Sequence, residues 1–303
     1  MRAADTAAPW ARRGGWSGEV ASPAVAGGRL RRAADAIVGL TMRGGAMAKP
    51  SPSDVAMRLL ILKYQIIHAL AIPPQELLQS LFSKWSEEEQ WELTSRYKEK
   101  SNQLVAFLKF HNLWDLMTEE EKEFIQSVPP KVKKQQHINA MWSIESAVVL
   151  MWALGLIKAF PPFDEQTDPE ILKRIPYQDI NNFVSSANLL PEEVIEEKRS
   201  LAELWHWRSR TRQLQEMGRV PPRETGYSTF DEIVRAVAYE AYKRGDLSRI
   251  VDYDFLAKSK AYRELDADEW AIVQSITIER HRALNWLCGY APGNKWDKTP
   301  TDT

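Results

Sequence analysis

The segment DADEWAIVQSITIERHRALNWLCG, residues 266–289, decides the fold because it surrounds an unusual polar centre with a complete set of helix signals. Asp266 and Glu269 have the spacing of a capping box, in which each residue caps a backbone N–H group of the first turn. Gly289 supplies the glycine that commonly ends a helix. The segment therefore predicts a long α-helix whose polar residues need partners from other parts of the chain.

The polar centre of this helix contains a carboxylate on the apolar side. A winding of 100° per residue places Glu279 on the apolar face, with Arg280 at its border and His281, Asn285 and Cys288 on the opposite side. A carboxylate among apolar side chains is costly unless it is paired or protonated. We therefore expect Glu279 to be buried with a cationic partner.

Two other segments also direct a charged residue into an apolar face. Glu145 does so in WSIESAVVLMWALGLI (142–157), and Arg208 does so in LAELWHWRSRTRQ (201–213). We expect Arg208 or Arg280 to pair with Glu279, and Glu145 to join the same cluster. Two interpretations remain open: a buried salt-bridge network that fixes helix register, and a functional pocket lined by these groups.

The remaining segments also carry helix signals. Capping-box pairs occur at Ser86 and Glu89, at Thr118 and Glu121, and at Thr229 and Glu232. No segment shows the period-2 pattern of a strand series or an Asn-Gly hairpin signal. We predict an all-α protein with a single multi-helix globular domain over residues 50–303. The Pro-rich connections 160–168 and 218–228 are expected on its surface.

Residues 1–49 differ in composition from the rest of the chain. They contain eight Lys or Arg against three Asp or Glu, and eight of the fourteen glycines, without an amphipathic period. The apolar core of a signal peptide is missing, whereas a transit peptide is conceivable. We expect a disordered or wrongly annotated extension, with translation starting at Met42 or Met47.

Composition excludes several classes of function. The net charge is −1 overall, which leaves −6 on residues 50–303, so we expect no nucleic acid as partner. The longest apolar run, residues 147–157, is too short to span a bilayer. Cys288 is the only cysteine, which precludes an intrachain disulfide and fits a cytoplasmic location. Twelve tryptophans indicate rigid cores or interfaces.

Known catalytic patterns do not account for the polar residues. His281 and Cys288 lie two turns apart on one helix, about 10.5 Å along its axis, which is too far for a nucleophile and its base. No HExxH motif, P-loop or dinucleotide-binding glycine motif is present. We therefore expect no metal and no cofactor.

The last residues, WDKTPTDT, have a composition unusual for a chain end. Trp296 is suited to anchor the segment on a neighbouring helix, and Asp297 and Asp302 are suited to accept hydrogen bonds from helix starts or arginines. A polar tail without contacts is the alternative. We expect residues 296–303 to be docked on the last long helix or its neighbours.

Three of these motifs in order, SIESAVVLMWALGLI, ERHRALNWLCGY and WDKTPTDT, resemble the bacterial domain-of-unknown-function family 4272 over roughly residues 96–303. The resemblance implies a bacterial, cytoplasmic, helical protein and no particular reaction. Residues 50–95 lie outside the resemblance. The matching motif positions are Glu145, Trp152, Ala153, Leu154, Gly155, Glu279, Arg280, His281, Ala283, Leu284, Asn285, Trp286, Trp296, Asp297 and Asp302.

Two functions follow from these residues. The first is a non-enzymatic interaction or regulatory module that binds another protein. The alternative is a hydrolase-like enzyme whose polar pocket is built from Glu279, His281, Asp297 and Asp302. A cleft that exposes these groups would favour the enzyme, whereas buried and mutually paired groups would favour the interaction module.

Overall fold

Helix α5, Lys134–Ala153, lies at the centre of the molecule because its second half is apolar on every side. In the computed structural model, which describes residues 48–301, an unbroken run from Trp142 to Ala153 is buried. A helix that is apolar all round has to be surrounded by other elements. The neighbours of α5 therefore determine the architecture.

Nine α-helices are present within the described residues. In chain order they are α1 (Pro52–Ala71), α2 (Gln75–Phe82), α3 (Glu87–Phe110), α4 (Glu119–Gln126), α5 (Lys134–Ala153), α6 (Ile180–Ser185), α7 (Glu192–Glu216), α8 (Phe230–Arg244) and α9 (Ala267–Leu287). Short 3₁₀ segments occupy several connections, including Pro169–Arg174 and Trp296–Lys298.

The main helices pack side by side in the spatial order α1, α5, α9, α7 and α8. Helices α1 and α9 both pack against α5, α7 packs against α9, and α8 lies beyond α7 with a small sheet. One continuous apolar core extends from Val55 on α1 to Trp296 after α9. The mainly helical class predicted from the sequence is confirmed. The predicted extension, residues 1–49, lies outside the described residues except for positions 48 and 49.

The helix starts follow the predicted caps. Reciprocal capping boxes form at Ser86, Thr118, Thr229 and Asp266, each with the acidic residue three positions later. Each box satisfies N–H groups that the first turn would otherwise leave without an acceptor. Local sequence chemistry therefore sets these helix boundaries.

A three-stranded antiparallel sheet was not predicted. Its strands are β1 (Ile250–Val251), β2 (Asp254–Ala257) and β3 (Lys260–Ala261), in the order β1-β2-β3. Both connections are two-residue turns with φ above zero at each central residue, at 252–253 and 258–259. This is the type I′ geometry that usually selects Asn-Gly. Asp-Tyr and Lys-Ser stand there instead, so the hairpin signal was absent.

Within residues 48–301 no single helix is long and apolar enough to cross a membrane. The bent pair α1 and α2 reaches the required length and composition only when the two are taken together. Most of α1 is buried in the core, as expected for a central helix of a packed domain.

The C-terminal segment packs on α9, as predicted for the part that is described. Trp296 is 5% exposed, and its ring meets Trp286 edge-on at 5.2 Å between centroids. The guanidinium groups of Arg58 and Arg282 lie over the same ring at 5.2 and 5.0 Å. Trp296 is therefore the anchor of the tail.

Asp297 is the one acidic residue of the tail that the structure describes, and it does not act as predicted. The Asp297 side chain is about half exposed and lies 3.6 Å from the ammonium of the adjacent Lys298. Within the described residues it forms no ion pair with an arginine and accepts no hydrogen bond from the start of another helix. An exposed ion pair contributes little free energy, so a carboxylate gains little when it leaves water to form one. Asp302 lies outside the described residues.

We predict that Trp296→Ala lowers the free energy of unfolding by about 3 kcal/mol, because it removes a large buried ring from the core. Urea denaturation measures the change. Trp91→Ala is the matched control, since Trp91 is 70% exposed on α3, and its loss should change stability by about 0.5 kcal/mol or less. Equal losses in the two variants would contradict the anchoring role.

Candidate functional site

The central polar feature is an ion pair between Glu145 on α5 and Arg280 on α9, both 0% exposed. Arg280 donates to Glu145 Oε2 through Nε at 2.9 Å and through Nη2 at 2.6 Å. Thr167 donates to the same carboxylate through its backbone N–H and its hydroxyl, each at 2.8 Å. The carboxylate therefore has a full set of donors without water.

The connection between α5 and α6 surrounds the guanidinium of Arg280. Nη1 donates to the carbonyls of Pro161 and Pro162, and Nη2 donates to the carbonyl of Glu165 at 2.9 Å. Arginine is suited to this position because its five N–H donors serve one carboxylate and several carbonyls together. Burial lowers the pKa of Arg280, and the Glu145 carboxylate opposes that shift.

The predicted surface position of residues 160–168 is confirmed only in part, since four of the nine residues are exposed and the others are half-buried or buried. Phe163 and Thr167 are buried, and the segment closes over the ion pair. The physical reason is that Arg280 needs acceptors beyond Glu145, and a segment with prolines has carbonyls free of helix or sheet bonding. The sequence gives no sign of this contact, because the partners are more than 110 residues apart.

Glu279 is buried as predicted, but its partner is not Arg208 or Arg280. It pairs with Arg282 at 3.1 Å and accepts a hydrogen bond from the Ser146 hydroxyl at 3.0 Å. Positions three apart share a helix face, whereas the adjacent Arg280 points about 100° away. Ser146 follows Glu145, so the two acidic residues occupy neighbouring positions along the α5–α9 interface.

Arg208 belongs to a separate ion pair. Its Nε and Nη2 donate to the two oxygens of Asp254, each at 2.7 Å, and both side chains are buried. Asp254 also accepts from the backbone N–H groups of Phe255 and Arg263. Asp254 was missed because it lies on β2. The short apolar run FLA (255–257) that follows it was its only sequence signal.

A histidine pair lies between α7 and α9. Nδ1 of His206 and Nδ1 of His281 are 3.0 Å apart, which requires one neutral ring to donate to the other. Burial lowers the pKa of His206 to about 4. Burial, followed by the influence of His206 and Arg199, lowers the pKa of His281 well below its usual value. The scattered positions of these histidines in the sequence concealed the contact.

The other polar residues of α9 have structural contacts. Asn285 donates to the carbonyl of Pro300 at 2.9 Å and so holds the tail. Burial, together with Glu196, raises the pKa of the Cys288 thiol. A thiol that stays protonated is a poor nucleophile. Trp286 donates to the carbonyl of Asn294 at 3.1 Å, and Trp152 packs edge-on against Phe160.

The described members of the hydrolase-like pocket are not brought together. Glu279 and His281 are buried, Asp297 is on the surface, and Asp302 lies outside the described residues. Two clefts in the described residues, of about 610 and 310 Å³, contain none of them. Within residues 48–301 no three His, Cys, Asp or Glu side chains are arranged to hold a metal ion.

Comparison with known proteins gives one family match. The model of DUF4272, described as a domain of unknown function, matches residues 44–224. The match includes α1, α2 and the start of α3, which the sequence resemblance had left out, and it ends before α8 and α9, which the resemblance had included. No significant match to a curated protein or to a solved structure was found.

We predict that Arg280→Met lowers the free energy of unfolding by about 3–5 kcal/mol, because it leaves the Glu145 carboxylate buried without a cation. The double variant Glu145→Leu/Arg280→Met should recover part of this loss. Urea denaturation of both single variants and the double variant gives the coupling energy. Additive losses would contradict a direct pair.

We predict that stability decreases as the pH falls from about 6.5 towards 4. In the unfolded chain His206 and His281 titrate near pH 6.5. In the folded protein burial lowers the pKa of His206 to about 4 and the pKa of His281 well below its usual value. The unfolded state therefore binds protons first, and each histidine contributes a slope of up to about 1.4 kcal/mol per pH unit.

Urea denaturation between pH 7 and pH 5 measures this slope. The variant His206→Gln/His281→Gln removes both titrations and should have a shallower slope than the natural protein. Glutamine retains one donor and one acceptor at each position. An unchanged slope in the double variant would contradict the neutral histidine pair.

Proposed function

The chain belongs to DUF4272, a family described as a domain of unknown function, and from its geometry we propose that it is a non-enzymatic module that binds an acidic protein segment. The observation that carries the proposal is a rigid face of exposed tyrosines on α8 and the adjoining hairpin. We call Tyr239, Tyr242 and Tyr253 the tyrosine face.

The burial and mutual pairing of the polar residues in the core support a non-enzymatic role. Arg280 and Arg208 each pair with a buried carboxylate, and the two interface histidines contact each other. Groups used in this way serve to hold helices in register. They have no access to a substrate, so the surface has to carry the function.

The tyrosine face combines three large side chains that are 45%, 48% and 56% exposed. The rings of Tyr239 and Tyr253 are 6.5 Å apart between centroids and inclined by 48°. Tyrosine is enriched at protein interfaces, because it offers a large apolar ring with a hydrogen-bonding hydroxyl at small entropic cost. A single exposed tyrosine needs no explanation, whereas three neighbouring exposed tyrosines form a surface suited to binding.

The backbone that carries the tyrosine face is held by ordered secondary structure. Tyr253 lies at a two-residue turn with a left-handed backbone, and the next residue, Asp254, is fixed by Arg208. Tyr239 and Tyr242 are on α8, which begins at a capping box and ends at Gly245. A surface that is already ordered loses little entropy on binding.

The charges around the face favour an acidic partner. Arg235 lies one turn before Tyr239 on the same side of α8 and forms no ion pair within the described residues. The Lys243 ammonium lies 5.5 Å from the Tyr239 ring centre and only 3.8 Å from Glu240, a weak surface pair. Acidic side chains of a partner would complement these two cations.

The location and the other partner classes are part of the same proposal. We place the protein in the cytoplasm, with neither nucleic acid nor a membrane as its main partner. The single cysteine and the acidic charge of residues 50–303 support this placement.

We predict that a photo-crosslinking amino acid at position 239 captures acidic segments of one or a few proteins in cells that express the chain. Mass spectrometry of the crosslinked peptides identifies the segments. The same amino acid at position 177 is the matched control, since Tyr177 is also exposed but lies outside the tyrosine face. Capture should decrease as salt is added to lysates, because exposed charge pairs are screened.

A second set of variants separates binding from folding. Tyr242→Ala and Arg235→Ala should reduce capture from position 239 and leave the melting temperature nearly unchanged, because both side chains are exposed. Equal capture from positions 177 and 239, or capture of nucleic acid or lipid instead, would overturn the proposal.

A further inference from the structure

The cleft of about 610 Å³ lies beside the buried ion pair, between the end of α5 and the segment that follows it. Its volume is within the range of about 300–1,000 Å³ typical of small-molecule sites. It shares no residue with the tyrosine face, so an inference about it stands independently of the proposed function. Its lining includes Val148, Leu156, Lys158, Glu165, Ile171 and Arg174.

The walls of this cleft are fixed by the core. Thr167 is bonded to Glu145, and Pro161 and Pro162 are bonded to Arg280 through their carbonyls. All three residues line the cleft. The buried hydrogen-bond network therefore fixes the shape of the cleft. A cleft formed only by surface loops would lack this support.

The floor and the rim of the cleft have different chemistry. The floor is apolar, with Val148 fully buried and Leu156 and Ile171 half-buried. At the rim, Lys158 and Arg174 are exposed cations that form no ion pair within the described residues. An apolar floor with a few convergent polar groups is the usual composition of a ligand site.

The rim also carries two acidic residues, which differ in the hydrogen bonds that their side chains accept. The Glu165 side chain has no hydrogen-bond partner within the described residues, although its backbone carbonyl accepts from Arg280. Asp168 is already engaged, since its Oδ1 caps the N–H of Glu170 at 2.9 Å. Among the described residues the rim thus carries two cations without an ion pair and two carboxylates. Glu165 is the carboxylate that accepts no hydrogen bond from these residues, although its charge also acts on the buried Arg280.

We propose that this cleft binds a free α-amino acid with an apolar side chain. Lys158 and Arg174 bind the carboxylate of the amino acid, and Glu165 binds its ammonium group. The apolar side chain lies on the floor formed by Val148 and Leu156. This assignment uses both cations of the rim and the Glu165 carboxylate, and it places no charge against the apolar floor.

Titration calorimetry of the full chain with L-leucine and L-phenylalanine tests the proposal. Both should bind with one site per chain. N-acetyl-L-leucine lacks the ammonium group and L-leucinamide lacks the carboxylate, so each should bind about tenfold more weakly or worse. If either analogue binds as well as leucine, or if no amino acid binds, the proposal is overturned.

Variants at the rim identify the site. Arg174→Ala should weaken leucine binding about tenfold, and Glu165→Gln should weaken leucine but not N-acetyl-L-leucine. Lys173→Ala and Glu170→Gln are the matched controls, because these neighbours are exposed, pair with each other and do not line the cleft. They should leave binding unchanged.

Ala159→Trp blocks the cleft without removing a charge and should abolish binding, since Ala159 is exposed on its lining. Circular dichroism confirms that each variant is folded. If Ala159→Trp does not fold, the rim variants still decide the outcome. Leucine binding that is unaffected by Arg174→Ala and Glu165→Gln together would place the ligand elsewhere and overturn the proposal.

Discussion

The burial of the Arg280 guanidinium is the constraint on which the rest of the core depends. A charge without access to water is tolerated only when a counter-charge and enough acceptors surround it. Glu145 supplies the counter-charge, and the carbonyls after α5 supply the acceptors. Sliding α5 against α9 by one turn, about 5.4 Å, would break every one of these bonds. The pair therefore fixes the register of the two central helices.

The same solution recurs at other interfaces. Arg208 and Asp254 join α7 to the sheet, and Arg58 and Glu121 join α1 to α4. In each case the arginine pairs with a carboxylate distant in sequence. Apolar burial supplies most of the driving force for folding but has no direction. The buried pairs supply direction, so the two kinds of interaction serve different purposes in this core.

The sequence predicts local features of this protein better than the contacts between distant segments. The capping pairs place the helix starts, because each depends on residues within one turn. The burial of Glu145, Arg208 and Glu279 also follows from helical periodicity. The identity of the partners does not, because it depends on how helices cross. The wrong partner for Glu279 has this cause, whereas Asp254 was missed because it lies on a strand that the sequence did not predict.

The separation of 135 positions between Glu145 and Arg280 has a consequence for synthesis of the chain. Ribosomes add about 5–20 residues per second, so α5 leaves the ribosome on the order of ten seconds before α9. During this interval a helix that is apolar on every side lacks one of its two main neighbours. Exposed apolar surface of this kind promotes aggregation and attracts chaperones. The apolar surface of α5 that faces α9 in the folded protein therefore stays exposed until α9 has been synthesised.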